Sequence, residues 1–395
     1  MISSRFIAVR NVLLIPFCFP SLFFALPLQA QDNLLFKIDE SVTRFAFSGG
    51  GRIAFSVRHV FSEKKVQLQR DDIWIAERDG KKRRVLQGDK FVRGTMPFSY
   101  TVRGLRWSPD GSKLAVELAT SEMINDNGDT REGVATFLLD DVGREIQITG
   151  GDSVISAATG AAWLADGSTV AYFAEQQKPG AAVAEKDKMG TPQQMAPLQR
   201  SFSMMRTNIT AGGSDVLFPG RVFSAFAWNE KRDIAIAVER SPETTLHPRL
   251  VQLDPAKNES HDLGTLDGYA GGLTISPSGK EVAYWIDSEQ IELRDIDGPN
   301  RVARVRVALG TLAWSGDEKR LLVKRGGAAR SGDLVWVALP ALATIAAGAV
   351  PQISEVLPQS ILHGLEFRQF DISPDGKLLG VVEPGRRNLL VYALP

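Results

Sequence analysis

A short phrase recurs seven times along this chain: a large apolar anchor, a tight polar turn, and then a run of alternating apolar residues. Three copies are clear and span residues 107–116, 275–284 and 372–381. Four degenerate copies begin at Phe47, Trp163, Trp228 and Trp314. Successive anchors are 60, 56, 65, 47, 39 and 58 residues apart, which is the repeat range expected for four-stranded propeller blades that carry loop insertions.

The chemistry of the phrase explains why it repeats. In the copy that begins at Trp107, Pro109 presets φ for the first corner of a turn, Asp110 can accept hydrogen bonds from nearby amides, and Gly111 can adopt a positive φ. The anchor therefore ends one strand, and the alternating residues begin the next strand with one face buried. Isolated sheets of this kind would leave an apolar face uncovered, so the units must stack around a ring.

We therefore predict an all-β fold: a seven-bladed β-propeller of four-stranded antiparallel blades. The last blade has room for only three strands before Pro395, and the alternating segment at residues 33–38 is expected to supply its missing outer strand. The alternative is that this segment is only a leader strand. Within the ring, residues 145–148 are predicted as the last strand of blade two, and residues 334–337 as an inner or middle strand of blade six.

The first 30 residues read as a secretory signal peptide, because Arg5 and Arg10 precede an apolar stretch that ends near Ala30. An uncleaved membrane anchor is the competing interpretation, but three prolines interrupt the stretch. We predict cleavage after Ala30, a single propeller domain over residues 31–395, and a periplasmic or secreted location. The only cysteine, Cys18, lies inside the signal, so thiol chemistry is excluded from the mature chain.

The charge balance gives no electrostatic argument for nucleic acid as a partner. The full sequence has 46 basic and 46 acidic residues, and removal of Arg5 and Arg10 with the signal leaves 44 basic residues against 46 acidic ones. No second apolar span of membrane length occurs, so no membrane span is expected after signal cleavage.

The Ser-Pro-Asp-Gly turns that follow Trp107 and Ile372 resemble the WD40-like repeats of the periplasmic TolB propeller and of related secreted bacterial proteins. The resemblance extends over nearly all of the mature chain and implies the propeller fold. TolB proteins carry an α/β domain before the propeller, whereas about a dozen residues separate Ala30 from the first blade here, so that domain is expected to be absent. The matching residues form turns and pack, and the resemblance therefore implies no particular activity.

Motifs for catalysis or metal binding are sparse. The chain has four histidines, His59, His247, His261 and His363, and none has the spacing of a metal-ligand pair. Oligogalacturonate lyase is a similar propeller whose metal is held largely by histidines, and a match would require several histidines to converge on the central channel. We read each histidine as a surface or turn residue and predict no catalytic, cofactor-binding or metal-binding residues.

One acidic segment resembles a calcium loop. The residues between Asn125 and Glu132 are rich in oxygen ligands but lack the spacing of an EF-hand. A solvated turn is the favoured interpretation, and calcium binding is left open.

The distribution of long connections gives the strongest indication of function. Long excursions are predicted at residues 57–70, 87–103, 119–133, 150–160 and 176–199, all in blades one to three, while blades four and five remain tight. Residues 176–199 are expected to form an insertion loop. Elaborated connections on one side of a rigid ring usually carry binding, although neutral drift of surface loops would give the same pattern.

We therefore predict a non-catalytic scaffold that binds a protein or cell-envelope component through the loops of blades one to three. The alternative is a propeller enzyme, a glycan lyase or hydrolase, with its site at the central channel. The sequence does not identify the partner.

Overall fold

The computed structural model describes residues 33–394 apart from 64–65, 92–97, 124–129, 150–151, 176–200, 241–247, 267–269, 308–309, 326–331, 347–350, 357 and 366–368. The predicted signal peptide and the predicted loop at residues 176–199 lie outside the described residues. The described part is built from β-strands, and its helical content is one short 3₁₀ helix, Gly88–Phe91. No helix in this part of the chain has the length and apolar character needed to cross a membrane.

An N-terminal strand, β1 (Leu34–Ile38), is followed by consecutive groups of four antiparallel strands, here called units. Unit 1 contains β2 (Val42–Phe47), β3 (Ile53–Glu63), β4 (Val66–Ala76) and β5 (Lys82–Leu86). Unit 2 contains β6 (Phe98–Trp107), β7 (Lys113–Met123), β8 (Thr130–Asp140) and β9 (Val154–Ser156). Unit 3 contains β10 (Ala158–Trp163), β11 (Thr169–Glu175), β12 (Phe202–Asn208) and β13 (Ser214–Leu217). Unit 4 contains β14 (Val222–Asn229), β15 (Ile234–Arg240), β16 (Arg249–Asp254) and β17 (Glu259–Thr265).

Unit 5 contains β18 (Gly271–Ile275), β19 (Glu281–Trp285), β20 (Gln290–Asp295) and β21 (Arg301–Arg306). Unit 6 contains β22 (Leu312–Trp314), β23 (Arg320–Arg325), β24 (Gly332–Ala338) and β27 (Gln359–Leu365). Two short strands between β24 and β27, β25 (Ala343–Thr344) and β26 (Ile353–Glu355), pair with β21 of unit 5. Unit 7 contains β28 (Gln369–Ile372), β29 (Leu378–Val382) and β30 (Leu389–Ala393), with β1 paired to β30 as its fourth strand.

Each anchor of the repeated phrase lies at or next to the last residue of a unit's first strand, as the sequence predicts. The turn after Trp107 shows why the phrase is tight. The Gly111 amide donates to the Ser108 carbonyl at 2.8 Å, and Gly111 has a φ of 70°. The Ser108 hydroxyl donates to Asp110 at 2.5 Å and accepts from the Lys113 amide at 2.9 Å. The serine after the anchor thus closes the hairpin from inside, a role that the sequence analysis did not assign.

The anchors pack between neighbouring units, also as predicted. The described residues form one hydrophobic cluster at each junction between consecutive units, and a further cluster joins unit 7 to unit 1. These clusters contain Trp107 (units 1 and 2), Trp163 (2 and 3), Trp228 (3 and 4), Ile275 (4 and 5), Trp314 (5 and 6), Ile372 (6 and 7) and Phe47 (7 and 1). The first strands of consecutive units also contact one another, and β2 contacts β28.

Two details of the strand prediction were wrong or incomplete. Residues 145–148 do not form the last strand of unit 2: Glu145 makes an isolated bridge with Leu139, and β9 pairs with β8 instead. The Leu138 amide donates to the Ser153 carbonyl at 2.9 Å, so residues 153–156 take the edge of β8 in place of residues 145–148. Residues 334–337 lie in β24, a middle strand of unit 6, as predicted. The excursion that carries β25 and β26, in unit 6, was not predicted.

The strand β1 offers a direct test of how the N-terminal segment contributes to stability. Ile38 is buried against Val382 and Leu389 of unit 7, whereas Leu35 on the same strand is 53% exposed. We expect Ile38→Ala to lower the free energy of unfolding by about 2 to 5 kcal/mol because it leaves a cavity. Leu35→Ala is the matched control and should change it by about 0.5 kcal/mol or less. Urea unfolding of both variants measures the difference, and equal small effects would mean that β1 is only a peripheral leader.

Candidate functional site

The three histidines that the structure describes lie in three different units. His59 lies on β3 of unit 1, and His261 lies on β17, the outermost strand of unit 4. His363 is in β27, and His247 lies outside the described residues. His59 instead lies beside a carboxylate, with its Nε2 3.1 Å from Asp72 Oδ2. Among the described residues there is no group of three or more histidines, cysteines or acids arranged to hold a metal ion.

The segment that resembles a calcium loop is mostly outside the described residues, which resume at Thr130. At its end, Glu132 Oε1 accepts a hydrogen bond from the Ser121 hydroxyl at 2.6 Å across the β7–β8 pair. Glu132 is therefore engaged in the ladder of unit 2. Calcium binding by the remainder stays an open question of the sequence.

Two of the predicted excursions are hairpin extensions in their described part, not loops. In unit 1, β3 and β4 are 11 residues each, and in unit 2, β7 and β8 are also 11 residues each, whereas β19 and β20 of unit 5 have 5 and 6. We call residues 58–63 and 66–71 the unit 1 ribbon, and residues 119–123 and 130–134 the unit 2 ribbon. Because each ribbon joins a second strand to a third, both project from the face opposite the Ser-Pro-Asp-Gly turns.

The base of the unit 1 ribbon is fixed by a buried carboxylate. Asp71 is fully buried and receives two hydrogen bonds from Arg58, at 2.8 and 3.0 Å. Its Oδ2 also accepts from the Val102 amide of β6 at 2.8 Å. A bidentate, buried pair of this kind is strongly directional. Asp71 therefore ties the ribbon both to its own unit and to unit 2.

The neighbouring carboxylate fixes the ribbon from its other side. Asp72 accepts from the Gly88 amide at 2.8 Å and from Arg84 at 3.2 Å, in addition to its contact with His59. Further out, the Arg70 guanidinium lies over the Phe61 ring, 4.5 Å from its centroid. Val60, which faces away from these contacts, is 53% exposed. The ribbon thus holds an exposed apolar side chain on a rigid support.

A second candidate lies on the turn face, where the first strands meet. A cavity of about 400 Å³ is lined by residues from units 1, 2, 4 and 7. Arg106 of β6 forms an ion pair with Glu230, which follows the Trp228 anchor, at 2.6 Å. The pair joins unit 2 to unit 4, so it spans two repeats that are not adjacent. The cavity wall also includes Asp371 of β28.

Asp371 is the unusual acid of this cavity. Its pKa is raised to about 6: burial is the main cause, the nearby Glu230 contributes a smaller part of the rise, and the Ile372 amide and Arg106 oppose it. Its Oδ1 accepts from the Ile372 amide at 2.8 Å. A carboxyl with a pKa of about 6 can both donate and accept protons in mildly acidic to neutral solution.

The sequence analysis did not find Arg106 and Asp371, but a signal was present. Both directly precede an anchor, where the other five copies have Ala or Thr: Ala46, Ala162, Ala227, Thr274 and Ala313. Five of the seven equivalent positions have a small residue that lies beside the anchor, so a charged residue at the other two is not explained by packing. A comparison of the copies position by position would have selected them.

Comparisons with known proteins show the fold but no family. No family model matches the chain, and no curated protein matches it in sequence. Among solved structures, a chain of the crystal structure of the Mitotic Checkpoint Complex is similar, with a TM-score of 0.51, 12% identity, and 98% of this chain and 99% of that chain covered. The Myceliophteria thermophila Cps50 (Swd1) β-propeller domain is similar with a TM-score of 0.53, 13% identity, and coverage of 92% and 99%. The chain therefore has the fold of a WD40-like β-propeller.

The pKa of Asp371 gives a testable pH dependence of stability. The folded carboxyl keeps its proton up to about pH 6, whereas in the unfolded chain it ionises near its ordinary pKa of 3.8. The native state therefore loses stability relative to the unfolded state as pH rises from about 4 to 6, and the loss persists above that range. The measurement is the free energy of unfolding in urea for Asp371→Asn and for wild type. The value for Asp371→Asn minus the value for wild type should increase by about 2 kcal/mol between pH 4.5 and pH 8.

Asp110→Asn is the control for this experiment. Hydrogen bonds from Ser108 and Ser112 lower the pKa of Asp110 to about 2, so its contribution is lost only as pH falls through that value. The difference in free energy of unfolding between Asp110→Asn and wild type should be the same at pH 4.5 and pH 8. If the difference in free energy of unfolding between Asp371→Asn and wild type is also the same at both pH values, the raised pKa of Asp371 is contradicted.

Proposed function

We propose that units 1 to 7 are the seven blades of a closed, TolB-like propeller, and that the protein is a periplasmic or secreted, non-catalytic scaffold for a protein or cell-envelope component. Contacts between successive first strands, including β2 with β28, support a closed ring. Pairing of β1 with β30 supports closure by the N-terminal strand. Arg5, Arg10 and the apolar stretch after them support secretion.

The observation that carries the binding proposal is the pair of ribbons on units 1 and 2. They extend the second and third strands well beyond their length in unit 5, and the base of the unit 1 ribbon is fixed by Asp71 and Asp72. A preorganised projection loses little conformational entropy on binding. Its exposed Val60 supplies an apolar contact with charged and polar neighbours, as in the centre of a protein interface.

The structural neighbours are consistent with this role. One of them is a chain from the Mitotic Checkpoint Complex, a protein assembly by its own description. At 12% identity the likeness concerns the fold and not the partner. It supports a scaffold role because a propeller of this shape takes part in an assembly there.

A charge introduced at Val60 tests the proposed surface. We expect Val60→Glu to reduce recovery of the specific partner at least about tenfold, because a buried interfacial carboxylate without a partner is costly. The measurement is a crosslinking pull-down from the native envelope with quantitative mass spectrometry. The affinity of the purified partner is then determined for each variant.

Val142→Glu provides the matched control. Val142 is 52% exposed, close to the value for Val60, but it lies in the turn between β8 and the isolated bridge at Glu145, on the opposite face. Both variants should unfold within about 0.5 kcal/mol of wild type. A partner lost equally from both variants, or retained by both, would exclude the unit 1 ribbon as its binding surface.

The cavity on the turn face favours one other function, a hydrolytic site that acts on glycans. Asp371, with its pKa raised to about 6, can act as a general acid, and Glu230 in the wall of the same cavity supplies a second carboxyl group. In this case Asp371→Asn should lower release of reducing ends from envelope polysaccharides by about 100-fold or more. Asp375→Asn, in the exposed turn of the same unit, should leave the rate unchanged. Absence of turnover by the wild-type protein would remove this candidate.

A further inference from the structure

A second cavity, of about 320 Å³, lies at the junction of units 4 and 5, away from the ribbons and from the cavity on the turn face. It is lined by the end of β17 and by β19, β20 and β21. The most buried charged residue of its wall is Glu292, whose side chain is 3% exposed. Charged groups buried at this level require partners, so their arrangement reveals what the site is built to hold.

Glu292 is surrounded by donors. Arg294 Nη2 donates to its Oε1 at 2.6 Å, and Arg304 Nε donates to its Oε2 at 2.8 Å. The Tyr284 hydroxyl donates to Oε1 as well. Burial and the nearby Glu292 charge raise the pKa of Tyr284, whereas the two arginines and the tyrosine hydroxyl lower the pKa of Glu292. The group thus contains two guanidinium cations, one carboxylate and one neutral phenol, which leaves a surplus of one positive charge.

The donors of Arg294 are not all used. Its Nη1 donates to the Leu263 carbonyl of unit 4 and its Nη2 to Glu292, but its buried Nε has no hydrogen-bond partner. The Arg294 and Arg304 side chains are only 11% and 15% exposed. A surplus cation with an unused donor in such a position is destabilising unless an anion compensates it.

The remaining acid in the cavity wall does not supply that compensation. Asp287 is exposed, and its two carboxylate oxygens accept from the Glu289 amide at 2.7 Å and from Gln290 Nε2 at 2.9 Å. These contacts shape the turn between β19 and β20. The cavity wall also includes the apolar side chains of Leu266 and Ile286.

We propose that this cavity binds a small organic anion through its carboxylate, with the carboxylate at Arg294 and Arg304 and the apolar body of the ligand against Leu266 and Ile286. A single surplus positive charge matches a monoanion, and guanidinium groups match the planar geometry of a carboxylate. The cavity volume is at the lower end of the range for ligand sites, which limits the ligand to a small molecule. Junctions between structural units are common positions for such sites.

Isothermal titration of the wild-type protein with benzoate tests the proposal, and benzamide serves as the neutral isostere. We expect benzoate to bind at least about tenfold more tightly than benzamide. Equal affinities, or no benzoate binding up to about 20 mM, would overturn the proposal. Inorganic phosphate is the competing anion, and tighter binding of phosphate than of benzoate would contradict recognition of a carboxylate.

Variants of a single strand, β21, locate the site. Arg304→Gln removes the surplus charge while Glu292 keeps Arg294, and it should weaken benzoate about tenfold. Arg304→Lys, which keeps the charge, should retain more of the affinity than Arg304→Gln. Arg301→Gln is the control, because Arg301 is exposed and binds Asp295 instead, so benzoate affinity should be unchanged. Circular dichroism melting verifies folding, and equal weakening by Arg301→Gln and Arg304→Gln in folded proteins would exclude the cavity.

Discussion

The structure depends on the burial of large anchors between neighbouring units. A four-stranded unit has two apolar faces and cannot cover either of them by itself. Trp107, Trp163 and Trp228 fill these junctions, and an aromatic side chain that buries roughly 150 to 250 Å² contributes several kcal/mol at about 25 cal/mol per Å². The same requirement applies to the junction of units 7 and 1, where Ile38 of β1 joins the cluster.

A second contact recurs at three of the junctions between units. A basic residue near the start of a second strand donates to the carbonyl of the turn glycine in the following unit: Arg52 to Gly111, Lys113 to Gly167 at 2.6 Å, and Arg232 to Gly279 at 2.6 Å. Two of these cations also lie over the next anchor, since Arg52 stacks on Trp107 and Lys113 on Trp163. The turn face is therefore joined by directional contacts between units as well as by apolar packing.

The sequence predicted the features that are local and repeated, namely the turns and the strands beside them. It missed the contacts that form between different repeats. The turn phrase located the first two strands of each unit because proline, aspartate and glycine act over a few residues. It could not show that β25 and β26 leave unit 6 to cover the edge of unit 5, since edge pairing leaves no periodic signal. Residues 57–70 were expected as a long excursion, and the pairing of Arg58 with Asp71 that builds the unit 1 ribbon is evident only in three dimensions.

The same limit applies to charged sites. Arg106 and Glu230 are 124 residues apart, and the contact between them exists because the first strands of units 2 and 4 converge. Glu292 and Arg294, in contrast, are two residues apart on β20, so their pairing is visible in the sequence. The surplus positive charge arises only because β21 places Arg304 beside them. Since the turn face carries contacts that join units 1 and 2, 2 and 3, and 4 and 5, substitutions at those contacts are restricted by folding. The ribbons project from the opposite face, where their outer residues, including Val60, contribute little to packing between units. That difference in constraint allows residues of the ribbon face to change without loss of the fold, as the proposed binding role requires.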